Sequence, residues 1–190
     1  MAKNKVKFNI KNVHFAKKNE DGAYNTPIKL PGAVSISLEA QGELEPFYAD
    51  GIKYYVSSSN GGYEGDLEVA LITDEIRKEI LNEKLDTESV MIENAYSGTA
   101  EFALGFDIDG DVKTTRFWFY NCSATRPGTE STTTEDTKEP ATDTITVSCA
   151  GDENGNIRAK TTDETTSEVF DKWYDEVYIP GEAASQPATP

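Results

Sequence analysis

Apolar residues recur at every second position along much of this chain, and that spacing limits its fold more than any other feature. A strand sends successive side chains to opposite faces, so a period of two writes one buried face and one wet face. Val6, Phe8 and Ile10 point one way while Lys7, Asn9 and Lys11 point the other. The phase slips after Asn12, where Val13 and Phe15 take over the apolar set. One extra residue there predicts a β-bulge. His14 then falls on the polar side and reads as an exposed strand residue, with no Ser, Cys or acid close in sequence to make it a base. Farther on, Val34, Ile36, Leu38 and Ala40 face inward against Ser35, Ser37 and Glu39. Tyr63, Gly65, Leu67, Val69 and Leu71 share one face, with Glu64, Asp66 and Glu68 on the other. Three acids in line need solvent or a polar surface opposite them.

Between these runs lie turn formers. Residues 20–27 (EDGAYNTP) read as a turn region, and 41–51 (QGELEPFYADG) as a loop containing Gly42, Pro46 and Gly51. Residues 52–59 read as a strand. One helix stands out. Thr73 caps it, Asp74 and Glu75 lie at its positive end and Lys84 near the other. Ile76, Ile80 and Leu81, extended by Ile72 and Leu85, form its apolar stripe over roughly three turns. Strands at 101–108 and 112–122 flank Asp109-Gly110, a hairpin signal. Phe117 to Tyr120 is apolar on both faces, which marks a central strand, with the helix as the evident cover for one face. Residues 125–143 hold no Val, Ile, Leu or aromatic and read as a flexible Thr/Glu-rich loop. Strands at 144–150 and 156–161 pair as a hairpin through GDENG. Val169, Phe170, Trp173 and Tyr174 sit at helical spacing, although alternation also fits, and a strand at Val177–Ile179 follows. Residues 181–190 read as a disordered tail behind a single domain over 1–180.

Composition narrows the function classes. The chain has 190 residues, enough for a real core, and its 37% hydrophobic and 10% aromatic content sets it apart from disordered sequences. No run approaches the roughly 20 apolar residues of a membrane span, and the N-terminus lacks the apolar stretch of a signal peptide, so a cytoplasmic product without membrane contact is expected. The net charge of −16 is uneven: residues 1–18 carry six Lys and no acid, and the rest carries 12 basic against 34 acidic side chains, a net of −22. Such a surface repels nucleic-acid phosphate.

Chemistry-bearing motifs are absent. No phosphate-binding loop, nucleophile elbow or zinc-protease motif occurs. A single His and no CxxC argue against a zinc site. The acidic turn at Asp107–Asp111 lacks the glycine and glutamate of a calcium loop, as does 152–156. No enzyme activity, metal or cofactor is therefore expected. Cys122 and Cys149 both lie in strand-like runs, which allows but does not require them to be neighbours on one sheet; buried thiols and a disulfide both remain open. Tyr48, Tyr54, Tyr55 and Tyr63 gather around one loop, a pattern common to interfaces and to strands.

Several segments in order resemble the major tail protein of siphophages that infect Gram-positive bacteria. They are Asn12-Val13-His14, Leu30-Pro31-Gly32-Ala33, Phe47-Tyr48-Ala49-Asp50-Gly51, and Gly61-Gly62-Tyr63-Glu64-Gly65 leading into Leu67–Leu71. The likeness runs through the helix and Phe117–Asn121, over roughly residues 3–180, and excludes 125–143 and the tail. It implies a mainly β fold, a β-sandwich or small barrel with one flanking α-helix, as in the phage tail tube. It also implies hexameric rings that stack into a tube, a conduit for DNA ejection. The implied partners are further copies of the chain, the tape measure protein, the tail terminator and distal tail proteins, and passing double-stranded DNA held without specific binding. The implied location is the virion tail, after synthesis in the host cytoplasm. Residues 1–12 and 41–62 would touch the neighbouring ring, which singles out Lys3, Lys5, Lys7, Phe47, Tyr48, Asp50, Tyr54 and Tyr55. Glu39, Glu64, Asp66 and Glu68 are the candidate lumen acids; the alternative is that they face outer solvent. The Lys-rich start either meets acidic surface on a neighbour or is a solvated strand face. A virion decoration protein and a carbohydrate-binding β-sandwich module are the competing functions.

Overall fold

The computed structural model describes residues 3–131, 133 and 140–181; the tail 182–190 and the centre of the 125–143 stretch lie outside them. The alternation becomes twelve strands and two short helices. The main sheet contains β1 (Lys7–Lys17), β2 (Ile28–Leu30), β3 (Ala33–Gln41), β6 (Gly62–Val69), β9 (Phe102–Gly110), β10 (Thr115–Ala124), β11 (Asp143–Cys149) and β12 (Arg158–Lys160). Its order is β2-β1-β9-β10-β11-β6-β3, with β12 paired beside β10, and every pairing is antiparallel. Two separate ribbons pair β4 (Leu44–Ala49) with β5 (Ile52–Ser58), and β7 (Lys84–Leu85) with β8 (Met91–Ile92). The sheet folds over on itself into a sandwich without closing as a barrel, since β2 and β3 end its path.

The main core lies between the folded halves. Val13, Phe15, Phe102, Leu104, Phe106 and Phe119 from one half meet Leu67, Val69, Ile145 and Val147 from the other. The phase slip after Asn12 is a bulge: Asn12 has φ 52° and the β1–β9 register shifts between Lys11 and His14. Helix α1 (Asp74–Glu79) closes one end, with Thr73 capping the Ile76 amide. It is shorter than the three turns expected, because Asn82 turns left-handed (φ 55°) and Lys84 enters β7. Ile72, Ile76, Ile80 and Leu81 are buried, whereas Leu85 is exposed.

Several expectations need correction. Residues 44–49 form a strand, because Asp50 and Gly51 both take positive φ (52° and 75°) and close a tight hairpin. The β9–β10 turn lies at residues 111–114, with Asp109-Gly110 inside β9, because Thr115 pairs with Ile108. β12 pairs with β10 instead of β11, so GDENG crosses from one half of the sandwich to the other. A register shift between Ala33 and Ser35 throws Val34 to solvent, and Ala40 and Leu71 are also exposed. Val177–Ile179 is not a strand.

Strand β9 shows how two layers arise. Its even positions Phe102, Leu104 and Phe106 fill the main core, while its odd positions are Ala103, Gly105 and Asp107. Gly105 lies directly between His14 of β1 and Trp118 of β10, and an added Cβ there would come within 2.7 Å of the Trp118 ring. The small residues leave a trough for the C-terminal segment. Helix α2 (Ser167–Asp171) starts this segment, and Trp173 and Val177 bury against Ala16, Ala103, Trp118 and Tyr120. The Trp118 face of the central strand is thus covered by residues 167–178, not by α1. His14 is buried for the same reason, contrary to its expected exposure: Tyr174 stacks on it at 4.2 Å between centroids.

Candidate assembly surfaces

Glu64, Asp66 and Glu68 point away from the core on β6, as the alternation required, and both neighbouring strands complete the face. Opposite them on β3 stand Glu39, Ser37 and Ser35 in turn. On β11 stand Ser148, Thr146 and Thr144. The hydroxyls serve the acids: Thr142 Oγ1 donates to Glu68 Oε1 (2.7 Å), Ser35 Oγ to Glu68 Oε2 (2.9 Å) and Thr146 Oγ1 to Asp66 Oδ1 (2.7 Å). No cation balances this face: among the described residues none of the four acids forms an ion pair. Glu39 and Glu64 lie directly opposite each other as like charges. The serine and threonine rows were legible as period-two polar positions on 35–37 and 144–148; what was missing was the register that sets them beside the acids.

The Thr142 hydroxyl, then that of Ser35, holds the Glu68 carboxyl below its ordinary value of 4.5. A lowered folded-state value contributes stability above the unfolded carboxylate range, which is lost as pH falls through the folded value. Replacing both hydroxyls, Thr142→Val with Ser35→Ala, is expected to bring the Glu68 titration back up toward 4.5, read by NMR of its side-chain carboxyl. An unmoved titration would show that the hydroxyls do not set it.

The β4–β5 hairpin projects from the sandwich. Every residue of both strands is exposed except Ala49, which is half-buried. Both its faces are apolar. Leu44, Pro46 and Val56 lie on one, Phe47 and Tyr55 on the other, with Tyr54 at a register irregularity and Tyr48 beside Lys53. Leu44 and Tyr54 are each 70% exposed. A lone two-stranded ribbon is marginal in water, and among the described residues nothing covers the apolar surface of this one. Asp50 sits at the tip. Tyr63, by contrast, belongs to the fold, edge-on against Phe119 at 5.2 Å.

The N-terminal segment is tied down. Asn4 Nδ2 donates to the Lys113 carbonyl (2.6 Å), its Oδ1 accepts from the Val112 and Lys113 amides (both 2.9 Å), and the Lys5 amide donates to Asp111 Oδ1 (2.8 Å). Lys3, Lys5 and Lys7 remain exposed, and among the described residues no carboxylate pairs with them. Lys11, Lys17 and Lys18 are engaged within the chain by Asp109, Glu79 and Glu101. Exposed Val6 and Phe8 alternate with the free lysines. The ends of the 125–143 stretch are also anchored: Arg126 binds the Asn94 carbonyl and Glu93, and Asp143 Oδ2 accepts from the Ile72 amide at 2.8 Å.

Among the described residues no three His, Cys, Asp or Glu side chains gather to hold a metal ion, and no helix is long and apolar enough to cross a membrane. Trp118 and Trp173 are buried, so neither offers a platform for a sugar ring. No protein-family model matches the chain, and no curated protein matches it. Among solved structures, a chain of the 6-fold symmetrised cryo-EM structure of the anti-feeding prophage (AFP) baseplate is similar over 87% of this chain and 100% of that one, at 10% identity and a TM-score of 0.47. A likeness at that level determines neither function nor partners.

Proposed function

We propose that this chain is a structural subunit of a phage tail tube, with no enzymatic role. Six copies form a ring, rings stack, and DNA passes through the bore. The observation that carries this reading is the β4–β5 hairpin, which is apolar on both faces and lies outside its own core. Burying such a ribbon between copies removes a large apolar area from water at about 25 cal/mol per Å². The acidic face suits a bore. Hydroxyls hold Asp66 and Glu68, no cation among the described residues pairs with the four acids, and the face repels phosphate at close range. A conduit must pass DNA without retaining it. In this reading the free Lys3, Lys5 and Lys7 meet acid on a neighbouring copy. The tape measure, terminator and distal tail proteins would cap and fill the tube within the virion tail.

Negative-stain electron microscopy of the purified protein is expected to show rings or tubes. The triple change Phe47→Ser, Tyr54→Ser, Tyr55→Ser is expected to abolish them while leaving the thermal midpoint within a few degrees, since these side chains are largely exposed. A wild-type protein that stays monomeric at high concentration, or tubes that survive the triple change, would overturn the proposal. A decoration protein would instead appear as monomers or trimers.

A further inference from the structure

We infer that Cys122 and Cys149 are a built site for a cross-strand disulfide, one that staples the two halves of the sandwich when the protein meets a peroxide. The two residues are register partners of β10 and β11. Backbone bonds flank them, from the Ala150 amide to the Asn121 carbonyl (3.3 Å) and from the Thr125 amide to the Thr146 carbonyl (2.9 Å). Counting in from either bond places Cys122 and Cys149 at a non-hydrogen-bonded position. Cα atoms there lie about 4.5 Å apart, within the roughly 4.4–6.8 Å that disulfides span. Both side chains point into the main core, and the sulfurs are in contact at 2.6 Å.

The location gives the bond its consequence. Strand β10 kinks at Asn121 (φ 47°), leaves β12 and joins β11. The seam is short: Cys122–Ala124 against Val147–Cys149. Along the strand order of the described residues it joins β2-β1-β9-β10 to the acidic face on β11-β6-β3. A disulfide would lock that seam and close the chain across residues 123–148, which restricts the unfolded state.

The chemistry balances. Hydrogen peroxide oxidises one thiol to a sulfenic acid and leaves one water; the second thiol displaces the hydroxyl, forming the S–S bond and a second water. The two sulfurs together give up two electrons. Burial, followed by the neighbouring thiol, pushes the Cys122 thiol well up, so thiolate is scarce. Both cysteines are buried, so oxidation waits on opening of the seam and is slow in the folded protein.

This inference does not rest on the tail-tube reading. The test uses the full chain, reduced, exposed to hydrogen peroxide, then unfolded and alkylated with iodoacetamide. A non-reducing peptide map is expected to join the Cys122 peptide to the Cys149 peptide within one chain, neither carrying an alkyl group. Reductant restores two alkylatable thiols, and the oxidised protein melts several degrees above the reduced one. Two alkylated thiols after peroxide, separate oxidation of each sulfur, a bond between chains or an unchanged melting point would each overturn it. The comparison of oxidised with reduced wild-type protein needs no substitution that might hinder folding.

Discussion

Replacing Asp107 with alanine is expected to lower the stability of this protein by about 3–5 kcal/mol, the usual loss when one partner of a buried ion pair is removed. Asp107 is 1% exposed. Its Oδ1 accepts from the Tyr174 hydroxyl at 2.6 Å and lies 3.6 Å from Arg116 Nε, and its Oδ2 accepts from Asn12 Nδ2 at 2.8 Å. Asn12 is the bulged residue of β1, Arg116 lies opposite Asp107 on β10, and Tyr174 belongs to the C-terminal segment. One carboxylate therefore ties three parts of the chain together. Without it the Arg116 guanidinium keeps the Phe170 carbonyl and the faces of Phe170 and Tyr174, but no counter-charge among the described residues. Burial, then the Asp107 charge, raises the Tyr174 pKa far above its usual value, so the hydroxyl stays a donor. Urea unfolding gives the magnitude. Asp107→Asn keeps an acceptor for Tyr174 and is expected to lose less. Limited proteolysis of the alanine variant should cut first within 167–181. A loss below about 1 kcal/mol would mean that the network contributes little beyond its own desolvation.

Trp118→Ala is expected to be as damaging, at about 3–5 kcal/mol, for a different reason: it empties the centre of the second layer. The Trp118 ring lies over Gly105, donates from Nε1 to the Trp173 carbonyl at 3.0 Å and meets Tyr174 edge-on at 5.6 Å. Next to it Tyr120 donates to the Tyr178 carbonyl at 2.5 Å. The variant retains one of the two tryptophans, Trp173, now a reporter for the segment that Trp118 held. Its fluorescence should move to the red in the native state, and the urea midpoint should drop. A blue, unshifted Trp173 with little change in midpoint would show that the C-terminal segment is held without Trp118.

Much of the fold was legible because alternation is a local property. The burial of Val13 and Phe15, the bulge after Asn12, the acids on one face of β6 and the Thr73 cap all follow from spacing within single segments. What spacing does not state is what covers a face. His14 sat correctly on the face opposite Val13, yet that face is dry, because Ala16, Ala103 and Gly105 leave room for Trp173 and Tyr174. Ala103 and Gly105 were a sequence signal for close approach, but nothing local named the partner. The segment with Gly42, Pro46 and Gly51 read as a loop because its turn formers outweighed the alternation of Leu44 to Ala49.

The sequence alone determined that the chain would be a β protein with one face of β6 acidic and a basic start, since these depend on residue type and spacing. Tertiary structure alone decided that the acids join rows of serine and threonine, that Phe47, Tyr54 and Tyr55 stand clear of the core, and that Asp107 lies buried under Tyr174. The physical reason is that a period of two assigns each side chain to a face, while register and the path of distant segments determine whether that face meets water, another strand or another copy.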